Sequence, residues 1–168
     1  GPLADALAQQ RATSEILSVM VASRADETPV FQTIARAAIN ICSAKVANVF
    51  TYDGSLIHLA AIQNATPDYR ETLRSVFPRP PGRDTAVTRA VATGEVCMIA
   101  DVLADSEYLI GNAAASSGFR SVLAVPLLRD GRPIGSLAVG RPVPGDFPGA
   151  QVALLKTFAD QAVIAIEN

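Results

Sequence analysis

Apolar positions follow two different periods along the chain. In residues 3–22, Leu3, Ala6, Gln10, Thr13, Leu17 and Met20 recur at alternating three- and four-residue spacing. That is a heptad-like helical stripe with two polar members. Asp26-Glu27-Thr28-Pro29 interrupts it and opens a second helix, with Ile34, Ala38 and Ile41 on one face. The period then shortens to two. Residues 45–52 and 55–62 read as strands around Asp53-Gly54, a strong hairpin signal. Residues 67–76 read as a short helix, a further helix starts near Thr85 with Asp84 placed to cap it, and 96–100 read as a short strand. Residues 101–118 are irregular with a helical turn or two. A second hairpin pairs 121–128 with 133–140 around Arg129-Asp130-Gly131-Arg132. Its strands are apolar at both alternating sets of positions, which predicts a sheet covered on both faces, most simply by helices. The last helix, 148–167, becomes apolar nearly all round from Phe158 to Ile166. One side of it is expected on the sheet and the other on a partner helix.

Composition narrows the class. With 168 residues, 49% hydrophobic and 18% charged, the chain is expected to form a folded domain and not a disordered one. No apolar run approaches the roughly 18 residues of a membrane span, and no basic face suited to nucleic acid or anionic lipid stands out against a net charge of −2. Cys42 and Cys97, the two cysteines, read as small buried hydrophobes, which suits a reducing, cytoplasmic setting. Gly1-Pro2 reads as a protease scar, so the chain is expected to be a piece of a longer protein. Because the final helix is still running at Ile166-Glu167-Asn168, an output domain is expected beyond it. The organisation expected is a linker or dimerisation helix over 1–25 and a domain over 26–168.

Three stretches carry a family resemblance. GFRSVLAVPLLRDGRPIGSLAV (118–139) has the form of a hairpin with an aromatic after its first glycine, a mid-strand proline and an Ile-Gly return. TGEVCMIAD (93–101) precedes it and FADQAVIAIEN (158–168) follows. In this order and at this spacing they resemble the GAF family, in particular the GAF domains of bacterial sensor histidine kinases and nucleotide cyclases. The resemblance implies an α+β fold with a six-stranded antiparallel sheet, helices on both faces, and the N- and C-terminal helices packed together on one face. The other face would enclose a pocket. Members of the family sense cyclic nucleotides, bilins, haem or other small molecules, and many dimerise through their terminal helices.

The candidate site residues come from this frame. Asn48, Phe50 and Tyr52 alternate on one face of the first strand, where a polar group between aromatics suits a planar ligand or, equally, a satisfied core amide. FPRPPGRDTAVTRAV (77–91) aligns with the pocket-lining turn. There Arg83 and the helix start at Thr85 could receive an anion, or Ala86 and Val87 could touch a ligand. The competing reading is a stiff connector whose Asp84 caps the helix. Tyr108, Leu109, Asn112 and Ser116 match the family's lid over the pocket. Arg120 is expected to pair with Asp101 as a structural link. His58, the single histidine, reads as a half-exposed strand residue and not as a ligand to metal or haem. The loop from Tyr108 to Phe119 has no cysteine for covalent bilin attachment, and the residue pattern of cyclic-nucleotide binders is not recognisable, so no cofactor is assigned.

The leading functional expectation is a non-enzymatic sensory domain of a multi-domain bacterial signalling protein. It would bind an unidentified small molecule and relay the ligand state through a homodimer formed by residues 3–22 and 148–168. One alternative is a ligand-free dimerisation or interaction module whose pocket is filled by Phe50, Phe77 and Phe119. The other is a GAF-type reductase of free methionine sulfoxide, which would need a cysteine set at the pocket.

Overall fold

The computed structural model of the chain describes residues 28–167; the stripe at 3–22 and its expected dimer contacts lie outside them. The described chain runs α1 (Thr28–Cys42), β1 (Val46–Tyr52), β2 (Ile57–Gln63), α2 (Pro67–Val76), α3 (Ala86–Thr93), β3 (Cys97–Ile99), α4 (Gly111–Ser116), β4 (Ser121–Arg129), β5 (Arg132–Arg141) and α5 (Gly149–Glu167). The strands form one antiparallel sheet in the order β2-β1-β5-β4-β3.

Local chemistry accounts for the two hairpins. Between β1 and β2 the Asp53 carboxylate accepts the Ser55 and Leu56 amides at 2.8 and 2.7 Å, and Gly54 takes the left-handed turn position at φ 98°. His58, half-exposed on β2, reaches the same carboxylate at 2.8 Å. Together, with the Leu56 amide as the largest influence, these contacts hold the Asp53 carboxyl down at about 2. Between β4 and β5, Asp130 and Gly131 both have positive φ, 53° and 77°, as a two-residue turn between twisted strands requires.

The sheet is covered on both faces, as the doubly apolar strands require. Odd-numbered positions of β4 (Leu123, Val125, Leu127) join Ala47, Val49, Leu137 and Val139 in a core with α1 and α5. Even-numbered Val122 and Ala124 join Val46, Phe50 and Ala138 in a second core with α2, α3 and the 101–119 segment. α1 lies on β1 and β2, α5 lies on β4, and the two helices touch. Leu155 and Phe158 of α5 are fully buried there; burying each such side chain is worth about 1.5–3 kcal/mol.

Two expectations are corrected. The described residues hold five strands, not six. The nearest thing to another strand is one bridge on the outer side of β2, where Ile57 and Arg79 exchange backbone hydrogen bonds of 2.8 and 3.1 Å. Pro78, Pro80 and Pro81 around Arg79 lack the N–H donors that would extend it. The cap of α3 is Thr85, not Asp84. The Thr85 hydroxyl accepts the Thr88 amide, while the Thr88 hydroxyl oxygen accepts the Thr85 amide, closing a reciprocal capping box. Asp84 instead accepts from Arg79 Nε at 2.6 Å. No helix among the described residues is long and apolar enough to cross a membrane.

Candidate functional site

The face of the sheet opposite α1 and α5 is the floor of a small cavity. Val46, Asn48 and Phe50 of β1 contribute to it, together with Val122 of β4 and Ala138 and Gly140 of β5. Gly140 belongs there for a steric reason. A Cβ at this position would stand 2.9 Å from both Phe119 and Val46, so only a bare backbone lets Phe119 close over the sheet. Tyr69, Leu73 and Phe77 form one wall. The first turn of α3, with Thr85, Ala86 and Val87, forms another, and Tyr108 and Ile110 come down from the segment above. The aromatics pack on one another as well as on the floor: Phe50 and Phe77 at 4.7 Å between ring centres, tilted, and Tyr69 edge-on to Phe119 at 5.0 Å. About 20 Å³ of free space remains, room for roughly one water.

The electrostatics of this space are unusual in what they leave unpaired. None of the lining residues carries a charge. Asn48 is only 6% exposed, and its Oδ1 has no hydrogen-bond partner. The neighbouring Thr85 hydroxyl is taken up by the α3 cap. Burial pushes the Tyr69 and Tyr108 hydroxyls well above the usual phenol range, so both stay protonated.

The segment 101–118 closes the cavity and is held down by ion pairs. At its root Asp101 receives Arg120 Nε and Nη2 at 3.0 and 2.7 Å, the link expected from the sequence. Farther along, Asp105 takes two hydrogen bonds from Arg89 of α3, and Glu107 takes two from Arg83, both at 3.1 Å. The Leu109 amide adds a bond to Asp84 O at 2.7 Å. Each arginine holds its partner's carboxyl below the ordinary range.

The candidate residues therefore separate. Asn48, Phe50, Thr85, Ala86, Val87 and Tyr108 line the cavity. Tyr52 sits past its edge, its hydroxyl donating to Gly54 O at 2.9 Å. Arg83 points outward to Glu107. Leu109 is 52% exposed and Asn112 is also on the surface. Ser116 lines a different, outer cleft of about 160 Å³ with Thr66, Asp68, Thr72 and Ser117. The stretch 77–91 supplies Phe77, Thr85, Ala86 and Val87 to the cavity wall. Its helix start is closed by its own hydroxyls, and Arg79, Arg83 and Arg89 are each matched to a carboxylate. Sequence reasoning missed Tyr69 and Leu73, whose spacing of four on α2 was the available signal. It also missed the Arg89–Asp105 pair, for which the sequence offers none. The thiols are split between the two cores: Cys42 is buried on the α1 side and Cys97 is half-buried on the cavity side. Burial raises both, Cys42 to about 12. Among the described residues no group of three or more His, Cys, Asp or Glu is placed to hold a metal ion.

Comparison with known proteins agrees with the fold. The model of the GAF domain family matches residues 24–167. No curated protein matches. Among solved structures, the GAF domain of a phosphoenolpyruvate-protein phosphotransferase from Coxiella burnetii superposes with a TM-score of 0.76 at 15% identity, over 96% of this chain and 94% of that one. The corresponding Acinetobacter domain gives 0.70 at 17%, over 95% and 92%. The free methionine-R-sulfoxide reductase of Neisseria meningitidis, solved with its substrate, gives 0.71 at 23%, over 95% and 88%. At these identities the likeness shows the fold.

Proposed function

The chain belongs to the GAF family, and on that premise we propose that it is a non-enzymatic input domain of a multi-domain signalling protein, with the cavity beneath segment 101–118 as its small-molecule site. One observation carries the reading: beside the apolar anchors Val102, Ile110 and Ala114, the segment over the cavity is held by three arginine–carboxylate pairs. Residues 103–109 carry no fully buried side chain, so that stretch can lift while Val102, Ile110 and Ala114 stay in the core. β4 and β5 supply a route for the signal. They face the cavity on one side, and on the other they join the core that α5 completes, so a change in the floor is one sheet thickness from the terminal helix. A homodimer using that helix and residues 3–22 would convert the shift into a change of partner geometry.

The fit of the aromatics favours a second reading, a ligand-free interaction module. Phe50, Phe77 and Phe119 leave about 20 Å³, far below the roughly 300 Å³ of an open ligand pocket. A reductase is disfavoured because the two cysteines lie on opposite faces of the sheet and burial keeps both as thiols. Native mass spectrometry of gently purified protein, with a denatured control, tests the choice. The input-domain reading expects a small non-covalent adduct that is lost on denaturation. Adduct-free spectra, together with an unchanged melting temperature across a metabolite library, would leave the interaction module standing.

A further inference from the structure

We propose that the molecule received by this cavity is neutral, compact and largely apolar, and that it binds by donating a hydrogen bond to Asn48 Oδ1. The inference rests on the input-domain reading and specifies its ligand class.

The first support is the charge balance. A carboxylate or phosphate entering the cavity would shed its hydration and meet no cationic side chain, since no lining residue is charged. The cations nearby do not rescue it. Arg89 is bound to Asp105, Arg83 to Glu107 and Arg79 to Asp84, so an anion would have to break an existing pair to gain one. An ammonium group fares no better, because the same carboxylates are committed and lie outside the cavity.

The second support is the unpartnered oxygen. Buried carbonyl groups are nearly always hydrogen-bonded, and leaving one bare costs about 1–3 kcal/mol. Asn48 sits mid-strand between Val46 and Phe50, opposite Ile62 on one side and Ala138 on the other, and every one of these neighbours is apolar. The cavity's own hydroxyls, on Tyr69, Thr85 and Tyr108, make no hydrogen bond to it either, so its carbonyl is an acceptor that the protein leaves without a donor. The aromatic walls ask for an apolar body around that donor. A ligand larger than a water needs a wall to move. Tyr108 is the wall suited to that, because it rides on the clasped segment and is only half-buried, while Phe50 and Phe119 are anchored in the core.

Three small aromatic compounds of similar size separate the possibilities: phenol (neutral donor), toluene (neutral, no donor) and benzoate (anion). The 168-residue chain is titrated with each, following the Asn48 side-chain amide by NMR together with the melting temperature. Phenol is expected to bind about ten-fold more tightly than toluene and to move the Asn48 resonance, with benzoate weakest of the three. In the Asn48→Leu variant the order of phenol and toluene is expected to reverse. Benzoate binding as tightly as phenol while moving Asn48 would overturn the neutral class and leave the input cavity in place. Equal binding of toluene and phenol by the unaltered chain would overturn the role of the oxygen. If none of the three binds, the compact neutral class is overturned, and the input-domain reading is decided separately by the native mass spectra.

Discussion

Arg89 of α3 and Asp105 of the closing segment meet as a parallel fork, Nη1 to Oδ2 at 2.7 Å and Nη2 to Oδ1 at 2.9 Å, with the arginine side chain 8% exposed and the aspartate 26%. Arg89 Nε is occupied as well, by Arg83 O at 2.8 Å. A guanidinium with its donors so engaged is a rigid latch, which a lysine could not imitate.

The two partners should not be equally costly to remove. Asp105→Ala strands the more buried charge, while Arg89→Met leaves a carboxylate that water can partly reach. Urea unfolding is expected to show a loss of about 3 kcal/mol for the aspartate variant and about 1–2 kcal/mol for the arginine variant. In both, amide exchange at Tyr108 to Ile110 should quicken more than exchange in β4. Uniform quickening across the domain would argue against a local latch.

Acid should open the clasp, and neutral pH should not. Asp101, Asp105 and Glu107 are all held below their ordinary values, chiefly by hydrogen bonds from Arg120, Arg89 and Arg83. A carboxyl whose folded pKa is depressed stabilises the fold at every pH above its unfolded value of about 4, and that contribution disappears as pH falls through the folded value. Tyr108 and Cys97, which face these groups, are raised and stay neutral in that range. Exchange at the Leu109 amide, corrected for intrinsic rates, is expected to be flat from pH 5 to 8 and to rise below about pH 4. A transition inside pH 5–8 would point to a different titrating group.

Asn48→Leu should stabilise the protein while impairing its response to ligand. Removing an unpaired buried carbonyl and adding apolar contact is expected to contribute about 1 kcal/mol, or about 2–4 °C in Tm for a chain of this size. Destabilisation by a similar amount would mean that the oxygen is already satisfied in solution.

The thiols should be sluggish. At pH 8 a disulfide reagent is expected to modify Cys97 more slowly than an unstructured thiol and Cys42 only on unfolding, because burial favours the protonated form at both sites. Rapid labelling of Cys97 in the folded chain would bring thiol chemistry at the cavity back into consideration.

Much of the fold was legible because it depends on local periodicity and turn chemistry. The doubly apolar runs at 121–128 and 133–140 require cover on both faces, and Asp130-Gly131 can turn only where positive φ is allowed. Alternation alone places Asn48 beside Phe50 on one face, and both line the cavity. Other features depend on distances no sequence period encodes. Asp84 was as good a cap as Thr85 by residue type; what separates them is that Arg79 folds back onto Asp84. The sixth strand implied by the resemblance had no alternating run of its own, and the described residues offer only the isolated Ile57–Arg79 bridge, flanked by prolines that lack N–H donors. Arg89 and Asp105, 16 residues apart, meet because α3 and the closing segment pack against the same sheet. By itself, then, the sequence determined which residues are strand, helix and turn and which face each presents. Tertiary structure decided which charges cancel, which oxygen is left alone and how much space remains, because those depend on atoms brought together from distant parts of the chain.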